Sequence, residues 1–423
     1  MSGTLPEPAG FSLPIQVVEA NGQSAWLVED QSVPVVSIVW AWRGGAALDP
    51  AGQKGAAALA AALLTEGAGP LRAVEFIDAL RNEAINLTFS ADRDSFTGGF
   101  RTLTEALPEA LRLARLAMLE PRLDADAVER VRARAIAAAR RALETPSGQA
   151  SRAFWTAAYP AHSAGRPSGG TPESLAELSV EAIRAALDRQ LRQGGLMVAA
   201  SGAITADQLR ALLPALFSGL PAGKPPEVPP VPKFQPFGQV VVPVPSPQST
   251  VQFGQPGLPV TDPDWEAAQV VLRILAGGGF TSRLMQSVRE ERGLAYGIGA
   301  GLDVLFRRGI IVGSVATENA RVAETLTVLR AEWARMAQSG PTAEEVADAV
   351  AFLTGSMPLQ FTDSRRVAST LLAMQQNGRP TGWLAGRPAR LRALTRDGLA
   401  QVAGQLLAPD KLSTMIAGQP AGL

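Results

Sequence analysis

Only one imidazole, that of His162, and no thiol are available to this chain of 423 residues. Zinc is held by His, Cys and carboxylate donors, and catalytic sites commonly take two or three imidazoles, so the usual imidazole-rich site cannot be assembled from this polypeptide alone. A thiolate nucleophile is excluded outright. His162 lies in the turn-rich run AYPAHSAGRPSGGTPESL. A lone imidazole in such a turn reads as a hydrogen-bonded structural residue, and we assign it no catalytic role. No Gly-x-Ser-x-Gly elbow is present, which leaves a self-sufficient serine hydrolase without support. Gly277, Gly278 and Gly279 are not followed by Gly-Lys-Ser/Thr, so they read as a flexible turn between helices rather than a phosphate cradle. Arg289 and Tyr296 stand seven residues apart on either side of Gly293. Spacing places Arg289 near the end of an amphipathic helix, Gly293 at its break and Tyr296 at the start of a strand, so two element ends converge. On spacing alone, Arg289 reads as paired with Glu290 or Glu291, and Tyr296 as packed.

The elements that must position these groups fall into two near-equal halves. Residues 221–236 hold seven prolines in PAGKPPEVPPVPKFQP, a composition that favours an extended connector. The chain accordingly divides into an N-terminal lobe over 1–222, a linker over 223–238 and a C-terminal lobe over 239–423. In the first lobe an alternating strand over 35–42 leads to an alanine-rich helix near 55–64, then alternating segments around 86–100, then long amphipathic helices. The second lobe repeats the order, with a strand over 249–254, a helix around 265–275 and alternating segments from 295 to 316. Val322, Leu326, Leu329, Trp333 and Met336 then mark one helical face. Both lobes close on an apolar strand ending in glycine, LMVAASG and LSTMIAG. The pattern is a tandem duplication of an α+β unit, each a mixed or antiparallel sheet with helices on one face.

Within this frame the segment GQKGAAALAAALLTEG, residues 52–67, resembles the active-site helix of the pitrilysin and insulinase zinc peptidases. Their inverted motif, His-x-x-Glu-His, sets two imidazoles one helical turn apart with a glutamate base between them. The corresponding positions here are Ala58, Ala61 and Ala62. The family's third ligand, a glutamate about 75 residues on, falls on or beside Ala138, after a turn matched by Pro121-Arg122-Leu123. A methyl group has no lone pair, so the resemblance implies a helix kept and a metal site lost. Residues 86–96, NLTFSADRDSF, resemble the edge strand that takes up peptide by strand addition, which makes Asn86 and Phe89 candidate substrate contacts.

The C-terminal lobe carries the sharper match. AGGGFTSRLMQSVREERGLAYGIGA, residues 276–300, looks very like the family's Gly-Gly-Gly-x-Ser-Ser-Arg-Leu and Arg-Gly-Leu-Ala-Tyr segments. That resemblance implies that Arg289 and Tyr296 face a zinc site across a chamber, with Gly277–Gly279 beside the substrate. A phenolic hydroxyl can donate to the oxyanion of a tetrahedral intermediate, and a guanidinium can grip a substrate carbonyl. Some bacterial members of the family divide these parts between two homologous chains, as mitochondrial processing peptidase divides its subunits. This sequence resembles the metal-free subunit, inactive alone, holding no cofactor itself and relying on a homologous partner with the His-x-x-Glu-His motif to bring the zinc. The alternative the same ancestry offers is a catalytically silent structural subunit, like the core proteins of some respiratory complexes.

Composition narrows the partners further. Lys plus Arg and Asp plus Glu both number 39, so no net field draws nucleic acid or an anionic membrane. No stretch approaches the roughly 18 apolar residues of a membrane span. The start, Met1 to Pro6, shows neither a basic nor an apolar leader region, so the expected compartment is cytoplasmic, or periplasmic if a leader has been removed.

Overall fold

A computed structural model describes residues 12–423; the leader reading at Met1 to Pro6 lies outside them. In the first lobe six strands pair in the order Gln16–Ala20, Gln23–Glu29, Met197–Gly202, Val35–Arg43, Ser95–Leu103, Asn86–Ala91. In the second lobe five strands pair in the order Gln239–Pro243, Ser413–Gly418, Gln248–Pro256, Arg308–Glu318, Ala295–Leu305. From the second strand of the first sheet onward the two orders coincide. So do the directions, with one parallel pair followed by three antiparallel ones in each lobe. The duplication read from the sequence is therefore a duplication of sheet topology, with Gln16–Ala20 added at one edge. Residues 221–238 between the lobes contain neither helix nor strand.

Alternation along the central strand Val35–Arg43 decides what each face buries. Val36, Ile38, Trp40 and Trp42 enter the first lobe's main core with Leu59, Leu63, Leu113 and Phe217. Trp40 is enclosed edge-on by Phe89, Phe100 and Phe217 at 5.6–6.1 Å, and such pairs add about 0.5–1.5 kcal/mol each beyond burial. Val39 and Ala41 point the other way.

That second face corrects the expectation of helices on one face only. Val39, Ala41, Val28 and Ala199 pack against Val367, Ala368, Leu371 and Leu372 of the helix Ser364–Gln376, which belongs in sequence to the C-terminal lobe. The exchange is reciprocal. The helix Pro146–Ala158, from the N-terminal lobe, lays Phe154, Trp155 and Ala158 against Ile310 and Met415 of the second sheet. Gly254 makes room for it, since a Cβ there would stand 2.8 Å from the Phe154 ring. Polar contacts fix the first exchanged helix along its length: Gln375 Nε2 donates to the Val198 carbonyl (2.8 Å), and the hydroxyls of Ser37 and Ser364 are 3.0 Å apart. Two-faced sheets need cover on both sides, and each lobe obtains the second cover from the other.

Candidate functional site: the alanine cavity and the Arg289–Tyr296 surface

The helix Ala56–Leu63 begins at Gly55, whose φ of +88° only glycine adopts readily. Its first amides are capped from a distance, the Asp49 carboxylate accepting from Gly55 N and Ala57 N at 3.0 Å each. Burial pushes the Asp49 carboxyl up to about 6, against the lowering effect of those amides and of Arg189. At the other end Glu66 receives Arg130 and Arg134, each at 2.6 Å. These two arginines sit one turn apart on the helix Ala125–Glu144, so the pair clamps that helix to the motif helix and brings Ala138 opposite Ala58 and Ala62.

Ala58, Ala62 and Ala138 line one cavity of about 470 Å³. Ala61 does not. It is 1% exposed and part of the first lobe's core, so the position matching the family's glutamate base faces the packing rather than the cavity. The residues present do not fit a zinc ion, because methyl groups offer no donor, and among the described residues no group of three His, Cys, Asp or Glu could hold a metal. No helix is long and apolar enough to cross a membrane among those residues. His162 behaves as a turn residue: its Nδ1 accepts from Ala164 N (3.0 Å), its ring lies edge-on to Phe306, and burial lowers its pKa.

Asn86 and Phe89 do lie on an edge strand, Asn86–Ala91. Their side chains are already engaged, Asn86 Oδ1 accepting from Arg365 of the exchanged helix (2.9 Å) and Phe89 packing on Trp40. What this strand can offer a peptide is its free backbone edge.

In the second lobe the helix Trp265–Leu272 widens into a π turn over Arg273–Gly277, and Arg283–Met285 into another over Gln286–Glu290. Gly277, Gly278 and Gly279 connect the two, Gly279 at φ +60° with open space where a Cβ would be. Gly293, at φ +57°, ends the second helix. Tyr296 follows inside a register shift of the edge strand Ala295–Leu305, between Ala295 and Ile298. A bulge re-aims the side chain it carries, and Tyr296 is 86% exposed. It is thus not packed. Arg289 does meet Glu290 at 3.3 Å, as spacing alone suggests, but its guanidinium also lies against two rings, 4.6 Å from Tyr296 and 4.5 Å from Phe280. Phe280, itself 63% exposed, is a member of this surface that the sequence reading passed over; an aromatic closing a glycine run was the available signal. Neither Arg289 nor Tyr296 lines the alanine cavity.

Residues 177–353 match the model of the peptidase M16 inactive domain, a stretch that includes Gly277–Gly279, Arg289 and Tyr296. In this stretch the chain is similar to the peptidase M16 inactive domain. Likeness extends further along the chain in individual relatives. A protein of Helicobacter pylori named non-peptidase homolog YmxG is 27% identical over 348 residues, 81% of this chain and 79% of that one. An uncharacterized zinc protease of Streptomyces coelicolor is 29% identical over 254 residues, 57% of this chain and 54% of the other. In three dimensions a peptidase M16 inactive domain from Pseudomonas fluorescens superposes with a TM-score of 0.91 at 24% identity, covering 97% of this chain and 99% of that one. A chain of complex III2 from Candida albicans gives 0.79 at 17% identity, covering 96% of each. These superpositions establish the M16 two-lobed fold.

Proposed function

We propose that this protein is the metal-free subunit of a heterodimeric zinc peptidase. The observation that carries the reading is the pairing of an emptied motif, Ala58, Ala62 and Ala138, with a solvent-facing Tyr296 held out on a bulge beside a half-buried Arg289. A residue that serves only its own lobe has no cause to be re-aimed outward. The partner, a homologue bearing His-x-x-Glu-His, supplies zinc and the base for peptide hydrolysis. From this chain, Tyr296 donates a hydrogen bond to the developing oxyanion, and Arg289, restrained against two rings, binds a substrate carbonyl. Loss of one such donor typically costs about 3 kcal/mol, roughly a hundredfold or more in rate. Gly277–Gly279 border the same surface, where backbone can approach the peptide closely.

The second reading, a catalytically silent structural subunit, draws on the relative named as a non-peptidase homolog and on the likeness to a respiratory-complex chain. The exposed Tyr296, with Arg289 held against its ring, favours the first. Co-expression with and without a zinc-motif homologue, followed by metal analysis and peptide-cleavage assays, tests both. The shared-site reading expects activity only in the complex, with zinc confined to the partner. A partner fully active without this chain overturns it.

A further inference from the structure

The cavity left at Ala58, Ala62 and Ala138 has a chemistry of its own. Its walls are apolar, with Val131, Leu143 and Leu175 beside the alanines, and larger side chains at the alanine positions would have filled it. The space opens to solvent at Ala62 and Arg152, which leaves a ligand a way in. Three cations, Arg93, Arg152 and Arg166, line the same space, and no carboxylate does. None of the three forms an ion pair with a carboxylate within 4 Å among the described residues. Arg93 stacks on Trp155, 4.2 Å from the ring centroid, and feels Asp92, Asp94 and Asp303 at longer range. Arg152 and Arg166 are less compensated: Arg152 acts on the solvent-exposed Glu173 at longer range, and Arg166 makes one long contact, 3.5 Å, to the Asp49 carbonyl.

A second cavity of about 380 Å³ adjoins the first and shares with it Arg152, Gly165, Arg166 and Pro167. Lys54 joins the cations there, again with no carboxylate in the lining. The shared wall is therefore the most cationic part of a space whose far end is methyl-lined. Ligand pockets typically enclose about 300–1,000 Å³, mostly apolar with a few placed polar groups.

We infer that the emptied motif cavity binds an apolar carboxylate, its hydrocarbon body against Ala58, Ala62 and Ala138 and its anionic head at Arg152 and Arg166. A guanidinium pairs with carboxylate in two parallel hydrogen bonds, and two guanidinia without an ion-paired carboxylate on one wall select an anion over a neutral or cationic head. The chemistry is shared by a medium-chain fatty acid and by a peptide ending in a large apolar residue with a free C-terminus. This site is separate from Arg289 and Tyr296 and does not depend on the zinc partner.

Titration calorimetry on the full chain, with decanoate, 1-decanol and decylamine below their aggregation limits, reads the inference directly. Decanoate should bind saturably, at one per chain, with decanol and decylamine at least tenfold weaker. A short peptide ending in leucine, compared with its C-terminal amide, reports the second source; binding of either carboxylate supports the site, and the tighter one identifies the source. Arg152→Ala, at an exposed position, should weaken the bound carboxylate about tenfold without changing the melting temperature. Ala138→Trp should abolish binding by filling the cavity. Decanol or decylamine binding as tightly as decanoate overturns the anionic selection, and unchanged affinity in a folded Ala138→Trp variant overturns the location. Absence of saturable heat from every carboxylate up to 1 mM overturns the site altogether.

Discussion

The guanidinium carbon of Arg289 lies 4.6 Å from the centre of the Tyr296 ring and 4.5 Å from that of the Phe280 ring. Cation–π contacts of this kind hold a long flexible side chain in one place at a gain of about 0.5–1 kcal/mol each where exposed. The tyrosine hydroxyl is left free, since the ring face and not the oxygen is what the arginine uses. Restraint of one group and freedom of the other is the arrangement a two-residue transition-state support requires.

In the assembled complex, Tyr296→Phe keeps the ring that steadies Arg289 and removes only the donor. It should lower kcat by roughly a hundredfold or more while leaving assembly and zinc content unchanged. Arg289→Ala should also raise KM, because a grip on the substrate acts in the ground state as well. Arg289→Lys should recover little, since an ammonium lacks the planar fork. Steady-state kinetics of the three complexes, with subunit stoichiometry by light scattering, check the set; near-normal values in all three point to the silent-subunit reading.

Metal analysis of the isolated chain should find no stoichiometric zinc. Ala58→His, Ala62→His and Ala138→Glu together place donors on the cavity that these three residues already line, and should confer measurable zinc affinity with poor activity, because the supporting hydrogen bonds that orient ligands are missing. Adding Ala61→Glu should lower the melting temperature sharply, since that position is buried in the core and a carboxylate there is unpaired. Thermal scans of the triple and quadruple variants separate the two effects.

The pH dependence of stability should carry an unusual sign from Asp49. Its carboxyl, ordinarily near 3.8, is raised to about 6, so the folded protein holds a proton that the unfolded chain has released. Stability from this group is full below pH 4 and is lost as pH rises to about 6, on the order of 3 kcal/mol over the window. Asp49→Asn should flatten that slope. Urea midpoints at pH 4, 5, 6 and 7 for both proteins isolate the difference from the other carboxylates.

Leu371 is fully buried on the exchanged helix Ser364–Gln376, against the first sheet. Leu371→Ala should cost about 2–5 kcal/mol and move a single unfolding transition rather than split it, because the contact joins the lobes. Gly254→Ala should destabilise as well, its Cβ standing 2.5 Å from the Ile311 carbonyl oxygen and 2.8 Å from Phe154. Trimming Phe154 relieves only the second clash. Calorimetric scans that resolve two transitions would contradict the interlocked packing.

Much of this was legible in the residues. The alternation from Val35, the alanine helix and the two glycine-ended closing strands gave the repeated sheet, because period-two and period-3.6 burial are written directly into a chain. Arg289, Gly293 and Tyr296 fell on the element ends that their spacing indicated. The exchange of Pro146–Ala158 and Ser364–Gln376 was not legible, since an amphipathic stripe states that a helix covers something without stating which sheet. Ala61 misled for a related reason: three alanines on a short helix look alike in sequence, and only packing shows that one faces inward. Phe280 was overlooked because its partner, the arginine, is nine residues away and meets it only through the turn at Gly279–Thr281 and the π turn Gln286–Glu290.

The reciprocal helix exchange also sets a timetable for biosynthesis. The first sheet is complete in sequence once Gly202 has been made, yet Val39, Ala41 and Ala199 remain bare until Leu371 and Leu372 emerge. At roughly 5–20 residues per second, that leaves an apolar sheet face exposed on the ribosome for something on the order of 10–30 s. A nascent chain of this design depends on shelter during translation, and a message truncated between the lobes yields a product that aggregates rather than a working half.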